Sequence, residues 1–232
     1  MTQPFSFYDA RHYRTLDVVT GYEAWSATYD ETVDSRLDLQ LLESLGTVTW
    51  NQIERAADLA CGTGRIGAWL RSRGIARVEG VDCCGAMLAR AEDKRVYERL
   101  CQAELTRSGF PASSYGLVVT SLVACHLPDL APLYEEAKRL LLADGIFVLL
   151  DYHPFFMVQG IPTHFQAGTG EKIAIENYVH FMSDHTETAR RAGFSLLEMR
   201  ERFVDESWIA AKPGMDRYRN WPVTFAMVWR NG

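Results

Sequence analysis

The sequence predicts one α/β domain built on a doubly wound, mostly parallel sheet, with an N-terminal helical cap and an antiparallel C-terminal strand pair. Short apolar segments alternate with segments of helical periodicity through the middle of the chain. A glycine-rich turn follows the first apolar segment, in "DLACGTGRIGAWL", as expected where a parallel strand leads into a helix. Near the end, two strand-like segments have no clear helix between them, which favours antiparallel pairing at the sheet edge.

The first 50 residues predict the helical cap. Leu37, Leu41 and Leu45 recur every four residues, which is typical of an amphipathic helix, and Gly46 is suited to end it.

Residues 51–152 predict the cofactor-binding core. Strand-like segments are "RAADLA", "VEGVD", "YGLVVTSLVACHL" and "GIFVLLDY". The segments between them have helical periodicity, in "IGAWLRSRG", in "GAMLARAEDKRVYERL" and in residues 129–142. Because parallel neighbours need crossover connections, this alternation predicts right-handed βαβ units in a doubly wound sheet.

The remaining residues complete a single domain over 1–232. Residues 153–182 show neither period and predict a lid or insertion over the carboxyl ends of the strands. Residues 183–232 predict a helix followed by the edge strands "SLLEMRERFV" and "VTFAMVWR". A capping-box pattern of Asp184 with Glu187 is expected to start that helix, and Gly193 to end it.

Composition narrows the class of protein. The 232 residues are 47% hydrophobic and 23% charged, and no apolar run reaches the length of a membrane span. The N-terminal residues lack a signal-peptide core, so we expect a cytoplasmic protein without a membrane partner. The net charge of −6 argues against a nucleic-acid partner. We expect Arg65, Arg71, Arg73 and Arg77 to decorate an exposed helix face. The oligomeric state is left open.

The five cysteines show no C-x-x-C and no zinc-ligand spacing. We expect reduced thiols and no metal site.

The glycine turn alone does not select a cofactor. Gly62-x-Gly64-x-x-Gly67 followed by the acid Asp82 suits NAD and S-adenosylmethionine equally. Three features favour S-adenosylmethionine. An aromatic helical segment precedes the first strand, no second mononucleotide-binding half follows, and Asp58 ends the first strand, where a carboxylate would meet a cationic amino group. Gly67 is then expected only to let the first helix pack closely on the sheet.

The order of the motifs "DLACGTG", "GVD", "CQAEL", "YGLVVTSLVACHL" and "LLADGIFVLL" resembles class I S-adenosylmethionine-dependent methyltransferases, specifically the small-molecule branch called type 11 or UbiE-like. The resemblance runs from about residue 20 to the end of the chain. It implies a seven-stranded Rossmann-like sheet, S-adenosyl-L-methionine as cofactor, and methyl transfer to O or N of a small apolar or aromatic metabolite. Alternatives are a protein or tRNA methyltransferase, a non-catalytic S-adenosylmethionine-binding regulatory module, and NAD-dependent reduction.

The resemblance also implies cofactor contacts by position. Asp82 is implied to bind the ribose, and Ser121 and Leu122 to lie beside the methyl group. The implied set is Tyr22, Trp25, Tyr29, Asp58, Ala60, Cys61, Gly62, Gly64, Asp82, Cys83, Met87, Gln102, Ala103, Glu104, Ser121 and Leu122. The chain departs from the family pattern twice. Ala60 replaces a usual glycine and is acceptable only if its φ is negative. Gln102 replaces a usual adenine-binding acid, with Glu104 as the rival.

Histidines at the carboxyl ends of strands are the candidates for a general base. We expect this role of His126, after the fourth strand, or of His153, after the fifth. The aromatic residues of the insertion either line an acceptor pocket or pack the insertion onto the sheet. The candidate substrate contacts are Tyr152, Phe156, His164, Phe165 and His180. We expect His12 and His185 at the surface.

Overall fold

The computed structural model describes residues 3–232, and its N-terminal segment mixes short strands with short helices. The elements are β1 (Gln3–Pro4), β2 (Arg14–Leu16), α1 (Val18–Trp25), α2 (Tyr29–Thr32) and α3 (Leu39–Glu43). Asp17 caps α1 by accepting from the backbone N–H of Thr20. The predicted helix through Leu37, Leu41 and Leu45 is therefore only five residues long, although Leu41 and Leu45 are buried as its periodicity indicates.

The central segment alternates strands and helices as predicted. Its elements are β3 (Arg55–Leu59), α4 (Arg65–Ser72), β4 (Arg77–Asp82), α5 (Gly85–Asp93), β5 (Arg99–Gln102), β6 (Tyr115–Ser121), α6 (Ala131–Leu140) and β7 (Leu141–Tyr152). From Phe147 to Leu150 strand β7 is fully buried, because helices cover both faces of the sheet.

The C-terminal third adds the insertion and the edge strands. Its elements are α7 (Pro154–Val158), β8 (His164–Gln166), β9 (Lys172–Ile175), β10 (Tyr178–Val179), α8 (Met182–Arg191), β11 (Phe194–Phe203), α9 (Glu206–Ala211) and β12 (Pro222–Asn231). Among residues 3–232 no helix combines the length and the apolar character that crossing a membrane requires.

The main sheet has seven strands in the order β11-β12-β7-β6-β3-β4-β5. Strands β3 to β7 are parallel, while β12 runs antiparallel to both β7 and β11. This confirms the predicted fold class. The chain leaves β3 toward β4 on one side and returns to β6 on the other, so the crevice for a ligand opens beyond the carboxyl ends of β3 and β6.

Two small sheets tie the N-terminal segment to the insertion. Strand β2 pairs in parallel with β9, which also pairs with β8, and β1 pairs with β10. Residues 153–182 are thus a folded cap shared with the N-terminus, not an irregular segment. The segment boundaries proposed from the sequence stay a prediction.

Helix α8 departs from the sequence prediction in two ways. Its N-cap is Phe181, whose backbone N–H donates to Asp184 at 2.9 Å, so Asp184 is the third helical residue. Glu187 does not join this cap and instead forms ion pairs with Arg190 and Arg191. His185, expected at the surface, is buried, and its Nδ1 lies 3.0 Å from the Tyr134 hydroxyl. Its ring lies 5.3 Å from that of Phe225 on β12, so this side of α8 faces the sheet.

Candidate active site

A cavity of about 270 Å³ opens at the carboxyl ends of the central strands; we call it the main cavity. Helix α1 and the turn after β6 close it from above. Eleven residues predicted from the sequence line it, namely Tyr22, Tyr29, Ala60, Gly62, Asp82, Cys83, Met87, Glu104, Ser121, Leu122 and His126.

Asp82 organises the glycine turn. Its Oδ2 accepts from the backbone N–H of Gly62 and its Oδ1 from that of Cys84, both at 2.8 Å. Burial raises the pKa of this carboxyl, while the two backbone donors oppose the shift. The remaining lone pairs of the carboxylate are available to a ligand with two adjacent hydroxyls, which is what a ribose offers.

Two non-glycine residues beside the main cavity have backbone torsions that favour glycine. Ala60 has φ of +56° and Leu122 has φ of +57°. The sequence-based condition that Ala60 keeps a negative φ is therefore not met. Such strain concentrates at functional sites, and here it lies at the ends of β3 and β6.

We expect Ala60→Gly to stabilise the fold by about 0.5–1 kcal/mol, because a left-handed alanine costs ~1–2 kcal/mol and glycine loses only part of that gain to unfolded-state entropy. Ala89, exposed within α5, provides the control. There the same change should destabilise by about 1 kcal/mol. Urea unfolding of both variants measures the difference, and equal losses at the two positions would contradict the expectation.

A polar recess of about 30 Å³ extends the main cavity beneath Tyr29, Ala60 and Ser121. Arg65 and Asp38 line it and form an ion pair at 2.9 Å, with both side chains largely buried. We expected Arg65 on an exposed helix face, but its side chain is largely buried. Asp38 was not singled out from the sequence, because only the fold brings it beside the glycine turn.

Asp58 does not reach the main cavity. Its Oδ2 accepts from the Tyr97 hydroxyl at 2.7 Å, and burial raises its pKa to about 7. Its Oδ1 is buried without a hydrogen-bond partner among residues 3–232. The expectation that Asp58 meets a cationic amino group is thus not supported, since the side chain points behind the glycine turn toward Tyr97.

The other implied cofactor residues occupy supporting positions. Cys61 lines the polar recess, and Gly64 begins α4 in a left-handed conformation, with φ of +83°. Trp25 stacks on Phe165 at 5.5 Å and packs behind Tyr22. Gln102 donates to the carbonyl of Cys83 at 3.1 Å and lies outside the main cavity, whereas Glu104 lines it. The backbone N–H of Ala103 donates to the Asp82 carbonyl within the sheet.

His126 is held in one tautomer at the edge of the main cavity. Its Nδ1 lies 2.6 Å from the Glu176 carbonyl and must donate to it, so Nε2 is unprotonated and accepts. The Tyr22 hydroxyl lies 2.9 Å from Nε2 and donates there. Burial lowers the pKa of His126 to about 4, against the opposing effect of the Glu176 carbonyl. The ring is therefore neutral near pH 7.

His153 is placed differently. Its Nε2 lies 2.9 Å from Glu201, and its Nδ1 accepts from the backbone N–H of Phe155 at the start of α7. It does not line the main cavity. Both ring nitrogens are engaged in holding α7 and β11 together, which argues against the catalytic role proposed from the sequence.

The predicted substrate residues divide between two locations. Tyr152, Phe156 and His164 line a separate cavity of about 290 Å³, which we call the second cavity. Phe165 is buried against Trp25, and Nε2 of His180 donates to the Leu127 carbonyl oxygen at 2.8 Å. Neither Phe165 nor His180 lines the main cavity or the second cavity.

The structure also tests whether these residues fit the expected cofactor. Ser121 Oγ is buried without a hydrogen-bond partner among residues 3–232, and Ser121 lines both the main cavity and the polar recess. An unpaired hydroxyl at a cavity wall is explained when a ligand supplies its partner. Asp82, Ser121 and the recess together fit an adenosine carrying a charged amino-acid tail.

Comparisons with known proteins agree with this geometry. Residues 57–149 match a family described as a methyltransferase domain. A trans-aconitate 2-methyltransferase of Escherichia coli O1:K1 / APEC is 31% identical over 109 residues, which are 47% of this chain and 43% of that protein. The match thus spans less than half the length of this curated relative.

Solved structures share the fold. An S-adenosylmethionine-dependent methyltransferase from Mesorhizobium loti superposes with a TM-score of 0.67 at 23% identity, over 84% of this chain and 97% of that one. A second such protein, described as putative, from Listeria monocytogenes gives 0.68 at 18% identity, over 85% and 97%. A DhpI–SAH complex gives 0.64 at 19% identity, over 92% and 95%.

The strand order, the turn organised by Asp82 and the matched family domain lead to the same assignment and the same cofactor, S-adenosylmethionine. Residues 57–149 of the chain match the methyltransferase domain family, and the fold is that of solved S-adenosylmethionine-dependent methyltransferases.

Proposed function

We propose that this protein transfers a methyl group from S-adenosylmethionine to O or N of a small, apolar or aromatic metabolite. The observation that carries the proposal is the neutral His126, whose Nε2 faces Tyr22 at the wall of the main cavity that also holds Ser121 and Leu122. The E. coli relative acts on trans-aconitate, a small molecule, which supports this substrate class.

The cofactor would be held by residues of both the main cavity and the polar recess. Asp82 would accept from the ribose hydroxyls, and Met87 with Cys83 would flank the adenine, near Glu104. In the recess, Arg65 and Asp38 offer opposite charges that match the carboxylate and ammonium groups of the methionine end.

When bound, S-adenosylmethionine would supply a methyl group activated on a sulfonium, and an acceptor hydroxyl or amine that takes this methyl group must release a proton. Nε2 of His126 is the unprotonated site that would take that proton through Tyr22, whose hydroxyl would give its own proton to Nε2 as it accepts the one from the acceptor. The Glu176 carbonyl fixes the ring orientation. Helix α1 lines the cavity through Val18, Val19 and Tyr22 and would limit the access of water to the reacting atoms.

We infer a cytoplasmic protein that acts without a nucleic-acid or membrane partner. The five cysteines are all free thiols, which is typical of a reducing compartment. The net charge of −6 disfavours methylation of tRNA, because such enzymes need a basic surface.

Replacing His126 by alanine tests the proposal. With a panel of phenols, amines and carboxylates, and formation of S-adenosylhomocysteine as the readout, we expect kcat of His126→Ala to fall about 100-fold for hydroxyl acceptors. The Kd for S-adenosylmethionine should stay within about threefold, since other residues carry the cofactor contacts.

His153→Ala is the matched comparison, because His153 is also a largely buried histidine but lies outside the main cavity. It should retain turnover. Unchanged kcat in His126→Ala, or an equal loss in His153→Ala, would remove His126 as the base. Absence of turnover by the wild type with every acceptor would favour the regulatory alternative.

A further inference from the structure

The hydrogen bonds around His126 form a chain with one direction. The Glu176 carbonyl can only accept, so its 2.6 Å contact requires a proton on Nδ1 of His126. Nε2 is then an acceptor, and the Tyr22 hydroxyl donates to it at 2.9 Å. Burial raises the pKa of Tyr22, which keeps this hydroxyl protonated. A backbone carbonyl thus determines where the Tyr22 O–H bond points.

Asn177 does not reverse this direction. Its Nδ2 lies 3.4 Å from Nδ1 of His126 but 3.2 Å from the Thr163 hydroxyl oxygen, which can accept from it. Its Oδ1 accepts from the backbone N–H of Thr163 at 2.8 Å, which fixes the orientation of the amide. Two acceptors would not approach each other to 2.6 Å, so the Glu176 carbonyl determines the tautomer of His126.

The Tyr22 hydroxyl therefore offers a ligand only its oxygen. Its hydrogen is directed to Nε2, and within residues 3–232 the hydroxyl has no hydrogen-bond partner other than His126. Tyr22 lines the main cavity, so the lone pairs of this oxygen are available to a molecule there. A hydroxyl group can donate to them. An ether or an ionised carboxylate has no hydrogen to donate and would be repelled.

The charges around the main cavity also disfavour an anion. The carboxyl groups that line it belong to Asp82 and Glu104, and no lysine or arginine of the described residues lines it. Arg65 lies in the polar recess, where it pairs with Asp38. A carboxylate on the acceptor would be buried beside two acids without a cation from the described residues to pair with, which is costly.

The same two acids disfavour an amine as the methyl acceptor. Nearby carboxylates stabilise the protonated form of an amine, and a protonated amine has no lone pair to receive a methyl group. A hydroxyl keeps both a proton and lone pairs near pH 7.

Apolar side chains complete the wall around His126. They come from the turn after β6 that also carries this histidine, so they lie next to it along the chain. The apolar lining residues of this turn are Leu122, Val123, Leu127 and Pro128. Such a wall suits an apolar or aromatic body with one polar group.

We propose that the methyl acceptor is an uncharged hydroxyl compound whose O–H group donates to the Tyr22 oxygen, and that this contact excludes carboxylates. Its apolar or aromatic body lies against the turn after β6. The inference rests on the proposed methyl transfer and names the acceptor class for it. The contact also places the proton of the acceptor at the start of the path through Tyr22 to Nε2 of His126.

Calorimetric titrations of the protein saturated with S-adenosylhomocysteine test this recognition without turnover. At pH 7 the probes form three series, each with a hydroxyl compound, its methyl ether and the matching carboxylate. They are phenol, anisole and benzoate; 2-naphthol, 2-methoxynaphthalene and 2-naphthoate; and 1-octanol, methyl octyl ether and nonanoate. In at least one series, the hydroxyl compound should bind about tenfold more tightly than both its ether and its carboxylate.

His126→Asn tests the direction of the chain. Asparagine can still donate to the Glu176 carbonyl but offers no acceptor in place of Nε2, so the Tyr22 hydroxyl becomes free to donate to an ether. The preference for the hydroxyl compound over its ether should fall to about twofold or less. Tyr152→Phe is the matched control and should keep the preference, because it removes a hydroxyl from the same packed cluster at the second cavity. If His126→Asn does not fold, Tyr22→Phe serves instead, since it removes the accepting oxygen.

The inference is overturned if no hydroxyl compound binds, if ethers or carboxylates bind as tightly, or if the preference survives in His126→Asn. Turnover separates this failure from failure of the proposed function. Formation of S-adenosylhomocysteine from amines or carboxylates, without preferential binding of hydroxyl compounds, would leave the transferase activity intact and show the acceptor class to be wrong. Preferential binding of hydroxyl compounds without turnover of any acceptor would support the recognition and contradict the proposed function.

Discussion

Asp82→Ala is expected to weaken binding of S-adenosylmethionine by at least about 100-fold, or about 2.7 kcal/mol. The substitution removes two functions of the Asp82 side chain at once. This side chain is positioned for the ribose hydroxyls, and it fixes the glycine turn through its bonds to the backbone N–H groups of Gly62 and Cys84. Bonds to an ionised acceptor are about twice as strong as neutral ones, so their loss is not replaced by water at no cost.

Isothermal titration with S-adenosylmethionine measures this effect, with Asp93→Ala as the control. Asp93 is an exposed acid at the end of α5, so that variant removes the same charge without touching the main cavity. The control should bind like the wild type, and NAD should bind to none of the three proteins. A Kd for Asp82→Ala within threefold of the wild type would show that the turn holds the cofactor without Asp82.

Local sequence signals located the cofactor end of the site. The glycine turn, Asp82 and the residues that end β6 were all predicted, because strand and turn chemistry within a few residues determines where they lie. Ser121 and Leu122 were implied by the family resemblance, and they lie at the carboxyl end of β6. The doubly wound, mostly parallel character of the sheet was predicted from the alternation of strand-like and helical segments, whereas its strand order was not.

Contacts distant in sequence were not predictable. The cap depends on β2 pairing with β9, more than 150 residues away, and short strands of this kind carry little periodic signal. The same holds for the ion pair of Arg65 with Asp38, and for His185 of α8, which contacts Tyr134 of α6. His153 had the right place in the sequence but is turned toward Glu201 by packing that the sequence does not reveal.

Tyr97 supports the glycine turn, and no signal in the sequence indicated this role. Its ring lies against three glycines, since a Cβ added at Gly64, Gly67 or Gly80 would come within 2.9 Å of it or closer. Gly67 thus does more than let α4 pack closely on the sheet. It leaves space for the ring whose hydroxyl donates to the buried Asp58.

Gly67→Ala is therefore expected to destabilise the protein by about 2–4 kcal/mol, although alanine favours a helix by about 1 kcal/mol. The new Cβ would lie 2.2 Å from Cζ and 2.3 Å from the hydroxyl oxygen of Tyr97. The ring cannot move aside freely, because Gly64 and Gly80 confine it as well. Displacing it removes the donor from a buried carboxylate, which costs ~1–3 kcal/mol beyond the overpacking.

A double-mutant cycle with Tyr97→Ala tests this cause. Once the ring is absent, adding Gly67→Ala should cost little or even stabilise α4, so the two losses should fall well short of additive. Additive losses in urea unfolding would mean that Gly67 acts through something other than Tyr97. A gain in stability from Gly67→Ala alone would show that helix propensity outweighs the clash.

Tyr97→Phe isolates the hydrogen bond, and its pH dependence has a definite sign. Burial raises the pKa of Asp58 to about 7 from 3.8, so the folded state is penalised for ionising it. The neutral Asp58 carboxyl therefore favours the folded state, and its contribution to the free energy of unfolding is fully present below pH 3.8 and is lost as pH rises through about 7. Without the Tyr97 hydroxyl, ionised Asp58 has no donor at Oδ2. The decrease in the free energy of unfolding with rising pH should therefore be larger in Tyr97→Phe and extend to higher pH. A free energy of unfolding that differs from the wild type by the same amount at pH 5 and pH 8 would contradict this role for Tyr97.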